Sequence, residues 1–398
     1  MLVPLLLSGC GPFALNRGLR DYGAVYANAS NQQTLLNLAR LANHHPAYFV
    51  QLGTVTSSYS ATGNLGAGAT RNDGDYIFGG NGSAGVAATS GGNFQIIPLG
   101  GGDFASQIVK PIPPEVFMVL YREGWRVDQL MRVLVERIEI HHADTNTTEV
   151  IGNNPSDPES YVRFLRTCEL ARYAQAAGAL RLEKKNTEES VSPILAVPPS
   201  AKESVEGVEK NIIWKKVNGG WQAFKKGASP VFSLETSNRR WANRLVEDPA
   251  FASEKAKRAK ENFFSLLAAN GLKVRTSDEK SENAGDSAEV VIRSFNGALA
   301  AVALEQEAFQ PFVRSHAEAI PAAQQRPILT LRWDAPPPGC NTLVQVTYNR
   351  SRYAIADVLG DGGQSSWNRD VFRLITQLYY QISVDISKYN QNTYFLSR

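Results

Sequence analysis

Two periods of hydrophobicity alternate along this chain. Asn31 to Ala42 brings Leu35, Leu36, Leu38 and Leu41 to one helical face before Pro46. The period then drops to two. Val55, Ser57, Tyr59, Ala61, Gly63 and Leu65 alternate with Thr54, Thr56, Ser58, Ser60, Thr62 and Asn64. Ala84, Val86, Ala88, Ser90, Gly92, Phe94 and Ile96 alternate with small and polar residues in the same way. Period-two alternation predicts strands. Two such runs around the polar stretch Arg71–Asp75 predict a Gly-rich β-hairpin within residues 52–103.

Helical spacing returns after Pro111-Ile112-Pro113-Pro114. Pro114 suits a first helical turn, Glu115 suits its dipole, and Gly124 suits its end. A second helix is expected from Val127-Asp128 through Leu130, Met131, Leu134, Val135 and Ile138, and a third from Pro158 to Leu182. These make residues 104–186 a helical region. Residues 187–275 read as β-rich. Ile212–Val217, Asn218-Gly219-Gly220 and Trp221–Lys226 form a hairpin signal, and a helix with a basic opening runs near Ser253–Leu267. A charged linker occupies 276–288. Residues 289–398 read as a mixed α+β domain, with strands at Val290–Ile292, Ile328–Trp333, Leu343–Tyr348 and Tyr353–Ile355. Its helices are Phe295–Gln306 and a closing one carrying Val371, Leu374, Ile375 and Leu378. The predicted class is α+β. Residues 11–30 read as an extended tether, which with the following helix makes segment 11–51.

Charge sharpens the picture of the first hairpin. Neither Leu41–Thr70 nor Tyr76–Gly102 contains a Lys, Arg, Asp or Glu. Each arm exceeds the ~9–11 residues that a strand needs to cross a bilayer at a tilt. A single hairpin cannot span alone, because its outer edges would leave backbone groups unpaired in hydrocarbon. Insertion therefore implies several copies closing a barrel, with Val55, Tyr59, Leu65, Val86, Phe94 and Ile96 as the membrane-hairpin candidates. A soluble hairpin and a flexible Gly/Ser-rich loop are the competing readings of the same residues.

Leu7-Ser8-Gly9-Cys10, after Met1-Leu2-Val3-Pro4-Leu5-Leu6, resembles the lipobox of bacterial lipoproteins. The resemblance covers about ten residues and implies removal of segment 1–10 up to the cysteine, with Cys10 carrying the lipid. Several acyl chains hold a protein on a membrane far better than one. No Lys or Arg precedes Cys10, and the apolar run is shorter than a usual leader, so a start codon further upstream is expected. Gly11 follows the cysteine where retention at the inner membrane would call for aspartate; the resemblance thus implies the outer membrane, with the body in the periplasm. The implied partners are membrane lipid through Cys10 and further copies of the chain or other envelope proteins.

The remaining composition narrows the classes. A formal charge of +3 over 398 residues gives no case for nucleic acid, and no later stretch approaches the ~20 apolar residues of a membrane helix. Cys168 and Cys340 are a possible disulfide, with a buried free thiol at Cys168 as the alternative. The five histidines are the adjacent pairs His44-His45 and His141-His142 and the single His316. Adjacent histidines diverge on strand or helix, so no metal is expected. Nucleophile-elbow, phosphate-loop and dinucleotide patterns are absent, so no catalytic residue and no cofactor is assigned. The sequence points to a structural or channel-forming lipoprotein subunit. The alternatives are a monomeric lipoprotein binding a protein or glycan, and a lipid-tethered hydrolase.

Overall fold

Pairing of the two uncharged arms is the first feature of the computed structural model, which describes residues 10–65, 70–72, 75–77, 84–98, 102–234, 251–269, 271–278, 286–333, 341–357, 366–382 and 394–396. The fold is α+β, in two compact units. One unit takes residues 1–33, 48–104 and 384–398; the other takes 34–47 and 105–383.

In the first unit, β1 (Val50–Leu65) and β4 (Ala84–Pro98) form one long antiparallel ladder. Between them β2 (Thr70–Asn72) pairs with β3 (Asp75–Ile77). A C-terminal strand, β14 (Tyr394–Leu396), adds to β4 opposite Phe94–Ile96, giving the order β1-β4-β14. The helix α1 (Cys10–Ala42) begins in this unit. Residues 11–30 are therefore helical rather than an extended tether. Pro12 falls in the first turn, where its missing N–H breaks no intrahelical bond. Gly18 and Gly23 weaken a helix by only about 1 kcal/mol each. The stretch around Val25 stays largely exposed, and burial begins at Leu35, Leu38 and Ala39. An amphipathic signal was consequently available only at the C-terminal end of this helix.

The second unit is built on a seven-stranded sheet. After α2 (Gly102–Val109), α3 (Pro114–Arg122) and α4 (Val127–Leu134) come β5 (Val135–His142), β6 (Thr147–Gly152), α5 (Pro158–Ala176) and β7 (Leu180–Ser190). Then follow α6 (Ala201–Glu209), β8 (Ile212–Val217), β9 (Gly220–Leu234), α7 (Glu254–Ala269), β10 (Leu272–Thr276) and β11 (Ser287–Ile292). The order is β6-β5-β11-β10-β9-β7, with β8 also on β9, and the β10–β11 pair is parallel among antiparallel neighbours. Segments 104–186, 187–275 and 289–398 all contribute strands or helices to this one unit. The chain continues through α8 (Phe295–His316), the hairpin β12 (Asn341–Tyr348) and β13 (Ser351–Asp357), and α9 (Trp367–Ile382).

Several element boundaries differ from the periodicity reading. Val135 and Ile138 belong to β5, not to an extended second helix. All eight residues of α4 are buried, its polar face of Asp128, Gln129 and Arg132 included, and helical spacing runs on past Leu134 to Val135 and Ile138. Val135, Ile138 and Ile140 are β-branched; β11 pairs with all three, and β6 pairs with Ile138 and Ile140 from the other side. The third helix ends at Ala176, and Leu180 and Leu182 lie in β7. Phe295 opens a longer helix than expected, reaching His316. Ile328–Trp333 forms only an isolated bridge, Arg332 to Tyr353, rather than a strand. The helix α6 was absent from the periodicity reading, although Ser200 and Glu203 form a reciprocal capping box at its start. The turn at Asn218-Gly219 was legible: both residues have positive φ, 48° and 83°, as a two-residue hairpin turn requires.

Candidate functional site

The ladder between β1 and β4 runs from Val50 opposite Pro98 to Leu65 opposite Ala84, with a bulge between Leu52 and Val55. Opposed residues in an antiparallel pair share a face. Val55 lies opposite Phe94, Tyr59 opposite Ser90, Gly63 opposite Val86, Leu65 opposite Ala84 and Leu52 opposite Ile96. The register thus sets Val55, Tyr59, Leu65, Val86, Phe94 and Ile96 on one face of the ladder. At the expected polar tip, Arg71 pairs with Tyr76 and Asn72 with Asp75, while Asp73 and Gly74 lie outside the described residues. Among the described residues no helix is long and apolar enough to cross a membrane. Cys10 is the first residue of α1.

A second candidate lies within the other unit. Ile138 on β5 faces Ile151 on β6 and Val290 on β11, and Ala288 faces Ile140 on one side and Leu272 on the other. These rows make one side of the sheet apolar. The residues between them, Arg137, Glu139, Arg275 and Glu289, form an ion-paired row: Arg137 Nε to Glu139 Oε1 at 2.6 Å, Arg275 Nε to Glu289 Oε2 at 2.6 Å, and Arg275 to Glu139. Over the apolar rows, α5 presents Glu159, Arg163, Arg166 and Leu170, and α7 presents Phe263, Leu266 and Leu267. Between sheet and helices is a cavity of about 320 Å³, at the small end of the ~300–1,000 Å³ typical of small-ligand sites.

The rim of this cavity is polar and mostly basic. Arg163 pairs with Glu149, and His142 Nε2 stands 3.7 Å from the same carboxylate. The Arg163 hydrogen bond holds the Glu149 carboxyl below the usual carboxylate range, against the opposing effect of its partial burial. Arg166 Nε donates to the Ala319 carbonyl at 2.9 Å. Arg258 and Lys260, also at the cavity, have no ion pair among the described residues.

The histidine pairs behave as adjacent residues should. His141 is buried with Nδ1 3.4 Å from Thr148 Oγ1, whereas His142 turns to the cavity side. His142, Asp144 and Asp286 bring one ligand atom each within 4.8 Å of one another, a grouping that sequence spacing did not suggest. Part of its geometry has a structural cause, since Asp286 Oδ1 accepts from the Ala143 backbone N–H at 2.9 Å. His44 is exposed, His45 Nδ1 meets Tyr348 Oη at 2.5 Å, and His316 Nδ1 lies 3.0 Å from the Phe312 carbonyl.

The densest polar centre has a buried heart and a half-exposed edge at Arg126 and Arg326. Arg132, Tyr161 and Glu305 meet there, and Trp367 lies beneath the guanidiniums of Arg326, Arg126 and Arg132 at 4.2, 5.3 and 5.8 Å from its ring centre. Gln324 bridges Asp128 and Glu169 at 3.1 and 2.7 Å. Cys168 is a free thiol in this interior, and burial pushes its pKa well above the ordinary value, which leaves it protonated and unreactive. Cys340 lies outside the described residues.

No family model, no curated protein and no solved structure matches this chain.

Proposed function

We propose that this chain is an outer-membrane lipoprotein, anchored through Cys10, that contributes its β1–β4 hairpin to a channel-forming homo-oligomeric barrel. The observation that carries this reading is the pairing of two uncharged strands of 16 and 15 residues along their length, interrupted by one bulge, in a compact unit of their own. At about 3.3 Å per residue, either strand exceeds the thickness of a hydrocarbon core even when tilted. Polar Arg71, Asn72 and Asp75 lie in the chain between the two arms, where a spanning hairpin would turn among headgroups or water.

Edge pairing supports the same reading. Among the described residues β1 has a neighbour on one side only, and β14 covers β4 only at Phe94–Ile96. Bare edges of this length call for a partner strand, and a second copy supplies one. Closure by several copies would satisfy every backbone group in lipid. The body then stands in the periplasm, and no catalytic step is required of it.

The test is the state of the acylated full chain after mild detergent extraction. A ring that resists dodecyl sulfate until heated, together with stepwise conductance in planar bilayers, is the expected result. A monomer in detergent that leaves bilayers silent would overturn the reading.

A further inference from the structure

The cavity between the sheet and helices α5 and α7 belongs to the body, and its chemistry stands apart from any membrane role of the hairpin. Its floor is the pair of apolar rows through Ile138–Ile151 and Ile140–Ala288–Leu272. Phe263 and Leu266 of α7, both only half buried, form its opposite wall. Such a surface gains by taking up hydrocarbon, because apolar area leaves water.

The rim sets the sign of the head group. Arg163 is spent on Glu149, and Arg166 holds the Ala319 carbonyl. Arg258 and Lys260 remain on α7 with no ion pair among the described residues. Two cations without an ion pair among the described residues, at the mouth of an apolar cleft, complement an amphiphile with a negative head. Glu149 and Glu159 share that rim, and like charges repel, so a monoanion fits better than a dianion. A volume of about 320 Å³ suits one aliphatic chain better than two.

We propose that this cavity binds a fatty carboxylate, with the chain lying on the Ile138–Ile151 and Ile140–Ala288–Leu272 rows and the head held by Arg258 and Lys260.

The experiment uses the full chain and a decanoate bearing a terminal diazirine, irradiated and mapped by peptide mass spectrometry. Label is expected on peptides from β5 and α7. Unlabelled decanoate should displace the probe at about tenfold lower concentration than decan-1-ol, the worth of one charge-assisted contact. It should also act at about tenfold lower concentration than octanoate, since two methylenes are removed from water. The double variant Arg258→Ser, Lys260→Ser changes only rim positions and should keep the label while losing the preference for decanoate over decanol. Leu266→Trp, which fills the cleft, should lose the label with its circular dichroism unchanged. Label confined to other peptides, equal displacement by decanol and decanoate in the native chain, or stronger displacement by decyl phosphate than by decanoate would each overturn the proposal.

Discussion

Arg132 donates from Nη2 to Glu305 Oε1 across 2.8 Å, with neither side chain more than 4% exposed. These two residues stand 173 positions apart in the chain, one on α4 and one on α8. Glu305 also accepts from Tyr161 Oη and from the Ile328 backbone N–H, both at 2.5 Å. One carboxylate therefore ties together α4, α5, α8 and the segment that follows α8. Glu305→Ala would leave a buried guanidinium without its counter-charge, and should destabilise the chain by about 3–5 kcal/mol. The shift in the midpoint of urea unfolding, followed by tryptophan fluorescence, measures it.

Acid should act through Glu149. Its folded pKa is depressed, mainly by the Arg163 hydrogen bond. The stabilisation it contributes is thus present above its unfolded pKa and is lost as pH falls through the lower folded value. The expected outcome is a decline in melting temperature that begins below about pH 5 and is shallower in Arg163→Met, where Glu149 titrates nearer its ordinary value. Calorimetry across that range, with native and variant chains compared, checks the sign.

Alkali should act through Tyr121. Its hydroxyl donates to the Leu180 carbonyl at 2.7 Å, and burial raises its pKa from 10.0 to about 12. The unfolded phenol ionises first, so this contribution is complete below the unfolded pKa and is gone once pH has passed the folded one. Tyr121→Phe should remove one late-titrating phenol from the ultraviolet difference spectrum. Loss of an early-titrating phenol instead would contradict the assignment.

Charge on the hairpin separates a barrel from a soluble sheet. Tyr59→Arg and Ala88→Arg each place a cation near the middle of the ladder, on the face shared by Val55, Leu65 and Phe94. If that face meets lipid, each should cost about 2–4 kcal/mol near the midplane, read as a lower temperature for ring dissociation. In a soluble hairpin, a surface substitution would shift stability by only about 0.5 kcal/mol.

Gly271, between α7 and β10, has φ of +75°, and a Cβ there would stand 2.9 Å from the Phe232 carbonyl oxygen. Gly271→Ala combines left-handed strain with a backbone clash. It should lower stability by about 1–3 kcal/mol, measurable as a drop in melting temperature.

Local pattern carried much of the secondary structure. Period-two alternation placed the β1–β4 hairpin, and only the register sets Val55, Tyr59, Leu65, Val86, Phe94 and Ile96 of the two arms on one face. Asn218-Gly219 marked its own turn through positive φ. Ser200-x-x-Glu203 carried a helix signal as well, in a stretch read as strands and turns. The cavity was harder to read. It needs Ile138 and Ile140 on a strand, and Val135 and Ile138 also fit the helical spacing that continues from α4.

What the sequence by itself determined are the properties decided within a few residues: alternation, turn chemistry, uncharged arms and the lipobox resemblance at Cys10. Tertiary structure alone decided where α4 gives way to β5, which cations line the cavity, and how Arg132 finds Glu305. The physical reason is separation along the chain. The apolar spacing of α4 runs on into Val135 and Ile138 without a break, and a strand's hydrogen bonds are completed by neighbours such as β11, far away in sequence. Which polar groups a core can hold depends on partners that meet only when the chain has folded.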